Sequence, residues 1–549
     1  MGWKQLIFFA WDLAKVANLN YHYKSSAKRK GCQALSLATV YSRALIGVEA
    51  VEVTVETHLS NGLPGFAIVG LPETAVKESK ERVRSAILNT GLVFPDRRIT
   101  VNLAPADLPK AGGRYDLAIA LSILAASRQI QPQVLQGLEI LGELALDGSV
   151  RRLQGIIPAI IAARDNDRRI LLPRENLREL ALVGYKQGRC LESLASYIDH
   201  LANNSALPDC DSLDSEICQD SQQDQLVCDI RGQRLAKRAV QVAAGGGHHL
   251  LMVGPPGSGK TMLAQTLASL LPPMSTSEAL EVAAIKSVVS TDPFDSSWLR
   301  RPLRSPLHTA TAVALVGGGT RASPGEISLA HRGVLFLDEL TEFKQGALDS
   351  LREPLESGEI SISRANYRVK FPARFQLLAA MNPCPCGYAG DIRHACRCSP
   401  ERIRSYLGKL SGPLLDRLDL IVEVPGLSQA ELLEQKPDAT DWNGIRQRIA
   451  QCRSLQLERA GKLNCALSGT ELELYCGLDK PLRRKFILAV EKLGLSARAI
   501  HRLIRVARTI ADYEDSKRIE QTHLWEALSL RRSRFLQSAN RVVTVSSPS

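Results

Sequence analysis

Residues 248–272 read, in order, as a short apolar run, a glycine-rich loop and an amphipathic stretch. The apolar run, Leu250 to Val253, predicts a buried strand. The loop, residues 254–261, has the pattern G-x-x-x-x-G-K-T. The next stretch predicts a helix that starts at about Lys260, since apolar residues recur at helical spacing at Leu263, Leu267 and Leu270. A strand, loop and helix in this order belong to an α/β fold, and no other segment constrains the chain as strongly.

The loop residues are those that a bound polyphosphate requires. Glycines allow backbone N–H groups to curl around the phosphates, and the N-terminus of the helix adds the positive end of its dipole. We expect Lys260 to reach the β- and γ-phosphates of ATP and Thr261 to bind Mg²⁺. The predicted nucleotide-binding residues of the loop are Gly254, Pro255, Pro256, Gly257, Ser258, Gly259, Lys260 and Thr261.

A second motif supports the same chemistry. Gly333 is followed by four apolar residues and then by Asp338 and Glu339. This pattern predicts a buried parallel strand that delivers two carboxylates to its C-terminal end, where ligands bind in such sheets. We expect Asp338 to hold Mg²⁺ and Glu339 to polarise the attacking water.

Length and composition exclude several classes of protein. The 549 residues suffice for about three domains, and the 45% share of apolar residues excludes a disordered or fibrous chain. The net charge of +12 favours a polyanionic partner. No apolar run approaches the roughly 20 residues that span a bilayer, so we expect no membrane segment and a cytoplasmic location. In that compartment the 12 cysteines favour metal binding or free thiols over disulfides.

The sequence pattern divides the chain into successive parts. Residues 1–34 differ from the rest and predict a disordered extension, or translation begun too far upstream, rather than a signal peptide. Residues 35–202 show the strand and helix patterns of an α/β unit. Residues 203–228 contain no Lys or Arg and predict an acidic, flexible linker. Residues 229–425 carry the nucleotide motifs, and residues 426–549 predict a helical lid.

The front unit resembles the Lon-protease-like domain found at the start of magnesium-chelatase-like ATPases. Residues 65–72, 105–116 and 142–148 carry the resemblance. A Lon-type peptidase needs a serine nucleophile activated by a lysine base. Residues 112–116, where the serine would lie, contain none, and no lysine occurs between Ala111 and Tyr185. The resemblance therefore implies an α/β fold without peptidase activity.

The start of the nucleotide-binding part resembles the AAA+ superfamily. A D-x-x-G-Q sequence there, which packs against adenine in that superfamily, comprises Asp229, Gly232 and Gln233. Asn382 follows another apolar run and matches the first sensor, which positions the attacking water.

Two arginines match AAA+ positions that act on the nucleotide from different subunits. Arg417, within residues 411–420, matches the arginine that is presented to the neighbouring subunit, and it would act there as an arginine finger. Arg498 matches the second sensor, which closes over the nucleotide of its own subunit. The resemblance implies an AAA+ core of P-loop α/β type that works as a ring, a hexamer in related ATPases.

Residues 315–340 resemble the magnesium-chelatase-like AAA+ ATPases of the ComM/YifB type. They overlap an insert, about residues 299–331, whose first part is basic and whose second part is glycine-rich and predicted to be flexible. A loop of this length inside a compact domain is usually functional. Arg304 and His308 are its candidate DNA contacts. Members of this family often have two adjacent histidines where this chain has Leu307 and His308.

Residues 358–372 predict a β-hairpin, because two alternating segments flank Ala365-Asn366. Arg364, Arg368 and Lys370 surround its tip and suit a phosphate backbone. In related hexameric ATPases, including the MCM helicases, such a hairpin projects into the central pore. The alternative is an exposed hairpin with ordinary surface charge.

Four cysteines follow Asn382 as two C-x-C pairs, Cys384 with Cys386 and Cys396 with Cys398. Four thiolates can close a tetrahedral zinc site, which would be structural because no coordination position stays open. Reduced thiols and disulfides are the alternatives.

The resemblance as a whole implies a ring-shaped ATPase that uses ATP and Mg²⁺ and translocates on branched or single-stranded DNA. The implied task is branch migration during recombination of incoming DNA, as in natural transformation. A magnesium-chelatase motor subunit shares the ATPase motifs, but the front domain and the cysteine cluster argue against it. A protein-remodelling module is the other alternative, and the intact ATPase residues argue against an inert scaffold.

Overall fold

The computed structural model describes residues 36–70, 74–203, 205–209, 211, 232–290, 298–319, 322–363, 368–391, 394–426, 441–493 and 495–531. Three predicted features lie outside these residues: the extension before residue 35, most of the linker, and the site candidates Asp229 and Arg364.

The front unit is built on one mixed sheet. In the described part of the chain this sheet has seven strands, in the order β3-β4-β2-β1-β5-β8-β9. The central pairs β1/β2 and β2/β4 are antiparallel. The pairs β3/β4, β1/β5, β5/β8 and β8/β9 are parallel. Its strands are β1 (Leu37–Ile46), β2 (Glu49–Ser60), β3 (Gly65–Val69), β4 (Arg98–Ala104), β5 (Leu138–Ile140), β8 (Arg169–Pro173) and β9 (Gly188–Leu191). The short strands β6 (Glu143–Leu144) and β7 (Val150–Arg151) pair with each other in a separate antiparallel ladder.

A fully buried, mostly apolar helix forms the core of this unit. The helices are α1 (Thr74–Asn89), α2 (Asp116–Ala126), α3 (Ile157–Asp165), α4 (Leu177–Val183) and α5 (Leu194–Asn203). Every residue of α2 is buried, as expected for a helix without a polar face. Its one acid, Asp116, is paired with Arg82 at 2.7 Å.

The nucleotide-binding core has a second sheet in which every strand pair is parallel. Its order is β11-β14-β17-β10-β18. The strands of this part are β10 (Leu250–Val253), β11 (Leu303–Arg304), β12 (Gly317–Gly318), β13 (Ser323–Pro324), β14 (Val334–Leu337), β15 (Glu359–Ser363), β16 (Arg368–Pro372), β17 (Gln376–Met381) and β18 (Leu420–Glu423). Strands β10, β14 and β17 are buried along their whole length, which explains their continuous apolar sequences.

Helices cover this sheet and continue into the C-terminal part. They are α6 (Arg234–Gly246), α7 (Lys260–Leu270), α8 (Thr276–Val289), α9 (Ala312–Val316), α10 (Glu326–Leu329), α11 (Gln345–Asp349), α12 (Arg352–Ser357), α13 (Pro400–Leu407), α14 (Gly412–Leu415), α15 (Trp442–Ala460), α16 (Gly469–Tyr475), α17 (Lys480–Leu493), α18 (Ala497–Tyr513) and α19 (Gln521–Ser529). The predicted α/β class with a helical C-terminal region is confirmed.

The insert before β14 is more regular than its sequence suggests. We expect its glycine-rich second part, about residues 315–326, to be flexible, but the described residues there contain the end of α9, a small β12/β13 ladder and the start of α10. A hydrogen bond from Arg332 N–H to Arg374 O at 2.7 Å ties the end of the insert to the start of β17. Backbone pairing occurs in both parts of the insert: β11 continues the parallel ladder next to β14, and β12 pairs with β13 in the glycine-rich part.

The front unit contacts the nucleotide-binding core at two places. Helix α3 packs on α8, and Gly155 N–H donates to Ser287 O at 2.8 Å. The β1–β2 turn lies against the hairpin formed by β15 and β16. A Cβ on Gly47, whose φ is +64°, would come within 2.4 Å of Val369. Position 47 of the β1–β2 turn therefore accepts glycine only.

An ionic joint holds the lid helices to the core sheet. Asp419, just before β18, is buried and accepts from His249 N–H at 2.9 Å and from Arg502 of α18 at 2.6 Å. Burial opposes ionisation of Asp419, yet the neighbouring His248 and Arg502 hold its pKa well below the usual value. Arg502 thus contributes to the joint between lid and sheet rather than to a solvated basic face.

No helix in the described ranges has the length and apolar character needed to cross a bilayer.

We predict that Arg502→Met destabilises the lid, because Asp419 stays buried without its guanidinium partner. Loss of one member of such a pair costs about 3 kcal/mol. Thermal denaturation should show the shift, with Arg498→Met, an exposed arginine on the same helix, as the control. Equal melting temperatures for the two variants would contradict a stabilising role for the Asp419–Arg502 pair. Because the folded-state pKa of Asp419 is depressed, the difference from wild type should shrink only below about pH 3.9.

Candidate nucleotide-binding site

The predicted phosphate loop lies between β10 and α7, with its backbone in the conformation that its glycines permit. Gly259 has φ +85° immediately before α7. Gly254 lies so close to the end of β18 that a Cβ would come within 2.1 Å of Val424 O. The remaining predicted loop residues, Pro255, Pro256, Gly257 and Ser258, complete the turn.

The Lys260 ammonium is held inside this loop. Its Nζ donates to Gly254 O at 2.9 Å and to Pro255 O at 2.8 Å, and it lies 3.4 Å from Asn382 Oδ1. Lys260 is only 8% exposed. Burial lowers the pKa of Lys260, and the charges of Asp338 and Glu339 oppose that shift. The loop carbonyls thus hold a cation where a triphosphate would bring compensating negative charge.

Thr261 and Asp338 form an oxygen-ligand pair beside the loop. Thr261 Oγ1 donates to Asp338 Oδ2 at 3.0 Å. A hydroxyl and a carboxylate are the hard oxygen ligands that Mg²⁺ prefers, so the donor set fits the ion. These two residues would hold Mg²⁺, and the ion would neutralise charge on the phosphate oxygens.

Glu339 has a strained backbone. Its φ is +51°, which is uncommon for a residue with a side chain, and its N–H donates to Asp338 Oδ1 at 2.9 Å. Strain of this kind occurs at functional sites, where it fixes the direction of a side chain. The Glu339 carboxylate is half exposed, and its Oε2 lies 3.2 Å from His308 Nδ1.

Strand order explains why these residues meet. β17, which is followed by Asn382, lies between β10 and β14 in the sheet. The carboxyl ends of parallel strands share one edge, so the phosphate loop, Asn382 and the pair Asp338 and Glu339 converge there. Their separation along the sequence gives no indication of this adjacency.

The residues before α6 contact the outer side of the phosphate loop. Gln233 has φ +53°, and its side-chain amide donates to Ser258 O and, at 3.4 Å, to Pro425 O. Gly232 also has a positive φ, +61°. Gln233 therefore hydrogen-bonds to the phosphate loop, and it belongs to the segment predicted to pack against adenine.

The two arginines predicted to act on the nucleotide have different surroundings. Arg417 is largely buried; its guanidinium donates to Pro413 O at 2.7 Å and pairs with Glu356. Arg498 is exposed in the first turn of α18. Among the described contacts, none joins either arginine to the phosphate loop of its own chain.

The predicted DNA contacts do not form one group. Arg304 makes a two-pronged ion pair with Glu326, at 2.7 and 2.8 Å. His308 lies against Glu339. On the hairpin, Arg368 and Lys370 are exposed, and Lys370 lies 3.4 Å from Glu359. The structure therefore brings His308 to the carboxylate predicted to polarise water, a contact that no motif indicates.

The four cysteines after Asn382 converge. Their sulfur atoms all lie within 4.8 Å of one another. The Sγ atom of Cys384 lies 3.3 Å from that of Cys386 and 3.7 Å from that of Cys396. Tetrahedral Zn²⁺ with Zn–S bonds of about 2.3 Å places its sulfurs about 3.8 Å apart, so the cluster fits the ion. Every cysteine in the described ranges is a free thiol.

Family comparisons cover the parts that carry this site. The family described as "Magnesium chelatase, subunit ChlI" matches residues 227–432. "Subunit ChlI of Mg-chelatase" matches residues 55–176, and "Magnesium chelatase, subunit ChlI C-terminal" matches residues 440–531.

Individual relatives extend the match to nearly the whole chain. "Competence protein ComM" of Haemophilus influenzae is 49% identical over 505 residues, which cover 90% of this chain and 98% of that protein. The chain belongs to the ComM/YifB family of magnesium-chelatase-like proteins. "Uncharacterized protein YifB" of Escherichia coli is 46% identical, over 90% of this chain and 97% of that protein.

A chelatase subunit is a more distant relative. The "Magnesium-chelatase 38 kDa subunit" of Rhodobacter capsulatus is 25% identical over 320 residues, which cover 54% of this chain and 83% of that protein. Membership of the magnesium-chelatase-like AAA+ group implies ATPase activity, with use of ATP and Mg²⁺.

We predict that Glu339→Gln retains ATP binding but lowers hydrolysis by roughly a hundredfold, because the amide cannot polarise water as a carboxylate does. Nucleotide affinity and phosphate release, measured separately, test this. Glu342→Gln, an exposed glutamate three residues along the chain, is the matched control and should hydrolyse normally. Normal turnover in Glu339→Gln would remove Glu339 from this role.

Proposed function

We propose that this protein is an ATP-hydrolysing ring motor that acts on DNA. The specific function is branch migration by a ComM-like helicase during recombination of DNA taken up in natural transformation. The proposed location is the cytoplasm, where incoming strands meet the chromosome.

One structural continuity supports the motor. The hairpin strand β16 ends at Pro372 and β17 begins at Gln376, so a short connection joins the charged hairpin to the strand that precedes Asn382. A change at Asn382 on hydrolysis would be transmitted along β17 to Arg368 and Lys370. Exposed cations moved in this way suit a phosphate backbone.

The surroundings of Arg417 support a ring. Its described partners, Glu356 and Pro413, are not part of its own phosphate loop. An arginine that completes an active site in a neighbouring subunit requires two protomers for each site. A closed ring, a hexamer in this proposal, gives every protomer such a neighbour.

The contact between His308 and Glu339 supports coupling between the insert and hydrolysis. His308 belongs to the insert that we predict to contact DNA, and its ring nitrogen Nδ1 lies 3.2 Å from Glu339 Oε2. A polymer that displaces the insert would change the hydrogen bonding of Glu339. We therefore propose that DNA controls ATP turnover through this pair.

The relatives support DNA as the substrate. The 49% identical protein is named for competence and matches over 98% of its own length. A chelatase motor is the second candidate, because all three matched families carry the chelatase name. The weaker and shorter match to the chelatase subunit favours the DNA motor.

The ring can be tested by mixing two inactive variants. Lys260→Ala should bind no ATP but should still present Arg417 to its neighbour. Arg417→Ala should bind ATP, but in a ring made only of this variant no neighbour supplies the arginine finger. Each alone should be inactive, and the mixture should regain a fraction of wild-type hydrolysis. A mixture that stays inactive, or an Arg417→Ala variant that is fully active alone, would refute a shared active site.

The DNA partner can be tested by reversing hairpin charges. Arg368→Glu with Lys370→Glu should weaken binding to forked DNA and reduce the slope of log affinity against log salt by about two. Arg483→Glu with Arg484→Glu makes the same charge change on exposed positions of α17 and is the control. ATP hydrolysis with and without forked DNA, together with strand exchange, completes the test. A flat salt response, or no binding to branched or single-stranded DNA, would favour the chelatase.

A further inference from the structure

We propose that Cys384, Cys386, Cys396 and Cys398 bind one Zn²⁺, and that the metal holds the loop of residues 383–398 against the phosphate loop. Nucleotide binding would then depend on zinc. We call the described residues of this segment, 383–391 and 394–398, the cysteine loop. This inference concerns nucleotide binding alone and does not depend on DNA as the partner.

The cysteine loop joins two parts of the nucleotide site. It begins directly after Asn382 and ends at Ser399, whose hydroxyl accepts from Arg402 N–H at 3.3 Å and caps α13. Helices α13 and α14 then lead to Arg417. The loop therefore links the residue beside the Lys260 ammonium to the residue proposed to reach the neighbouring subunit.

The cysteine loop packs directly on the phosphate loop. Gly387 lies inside the cluster, with φ +86°. A Cβ on Gly387 would come within 2.6 Å of Pro256 Cδ and 3.8 Å of the Asn382 side chain. The backbone of the cysteine loop thus packs on the phosphate loop at Gly387, and position 387 has no space for a side chain.

The loop has little regular structure to hold it in this position. Its described residues include no helix or strand. Two turns contribute, from Gly387 N–H to Cys384 O at 2.9 Å and from Asp391 N–H to Tyr388 O at 3.1 Å. A long loop without secondary structure loses considerable conformational entropy when it orders, so a cross-link within it has a large effect.

The sulfur atoms are arranged for such a cross-link. Cys384 is fully buried and accepts from Ala389 N–H at 3.3 Å, and Cys396 accepts from Cys398 N–H at 3.5 Å. N–H groups aimed at sulfur orient metal-binding thiolates. Zn²⁺ would bind all four sulfurs and release the four thiol protons to solvent. The two C-x-C pairs, one on each side of Gly387 and Asp391, would then be tied together.

Zinc content and nucleotide affinity, measured on the full chain, test the proposal. Purified under reducing conditions, the protein should contain one zinc per chain, and Cys396→Ser with Cys398→Ser should lose it. ADP affinity should fall by about tenfold or more in that variant. Cys190→Ser with Cys465→Ser removes the same number of thiols elsewhere and should retain both zinc and affinity.

Two further measurements test the proposal even if the double cysteine variant fails to fold. Wild-type protein stripped with a chelator, then returned to Mg²⁺ buffer, should lose ADP affinity and regain it when zinc is added. Gly387→Ala keeps all four thiols but pushes the loop from Pro256, so it should retain zinc and still bind ADP more weakly. Failure of fully reduced protein to hold zinc would overturn the site. Unchanged ADP affinity after complete zinc removal would overturn the dependence.

Discussion

The nucleotide site depends on three adjacent parallel strands that end at one edge of a sheet. β17 lies between β10 and β14, so Asn382 is placed between the Lys260 ammonium and the Asp338 carboxylate. Parallel pairing requires these ends to coincide, and burial of all three strands keeps the register unique. Every functional proposal made for this chain starts from that convergence.

The parts that would respond to the nucleotide attach to this sheet at both of its edges. β17 receives the hairpin at its start and supplies the cysteine loop at its end, while the insert reaches Glu339 through His308. At the opposite end of β18, Asp419 ties the sheet to the lid through Arg502. The core sheet thus has a direct connection to each element that would move.

The front unit also contacts this machinery. Its β1–β2 turn lies against Val369 of the hairpin, and its helix α3 packs on α8. A domain that the sequence presents as a separate unit is therefore in contact with the hairpin proposed to move along DNA. That contact offers a route by which the front unit could restrain or support the hairpin.

The sequence by itself determined the local features. Strand β10, the phosphate loop and α7 were predictable because their signals, an apolar run, fixed glycine spacing and helical periodicity, act over a few residues. The same holds for β14 before Asp338, for the hairpin strands and for the four thiols. The resemblance added the family, which comparison with the relatives confirmed.

Only the tertiary structure decided which distant residues meet. Nothing near Arg304 in the sequence indicates that Glu326 neutralises it, and nothing near His308 indicates its contact with Glu339. The glycine-rich part of the insert, predicted to be flexible, forms the β12/β13 ladder in its described residues, and the basic part adds β11 beside β14, which lies 31 residues further along the chain. These outcomes depend on strand order and side-chain packing between remote segments, and neither leaves a periodic signal in the sequence.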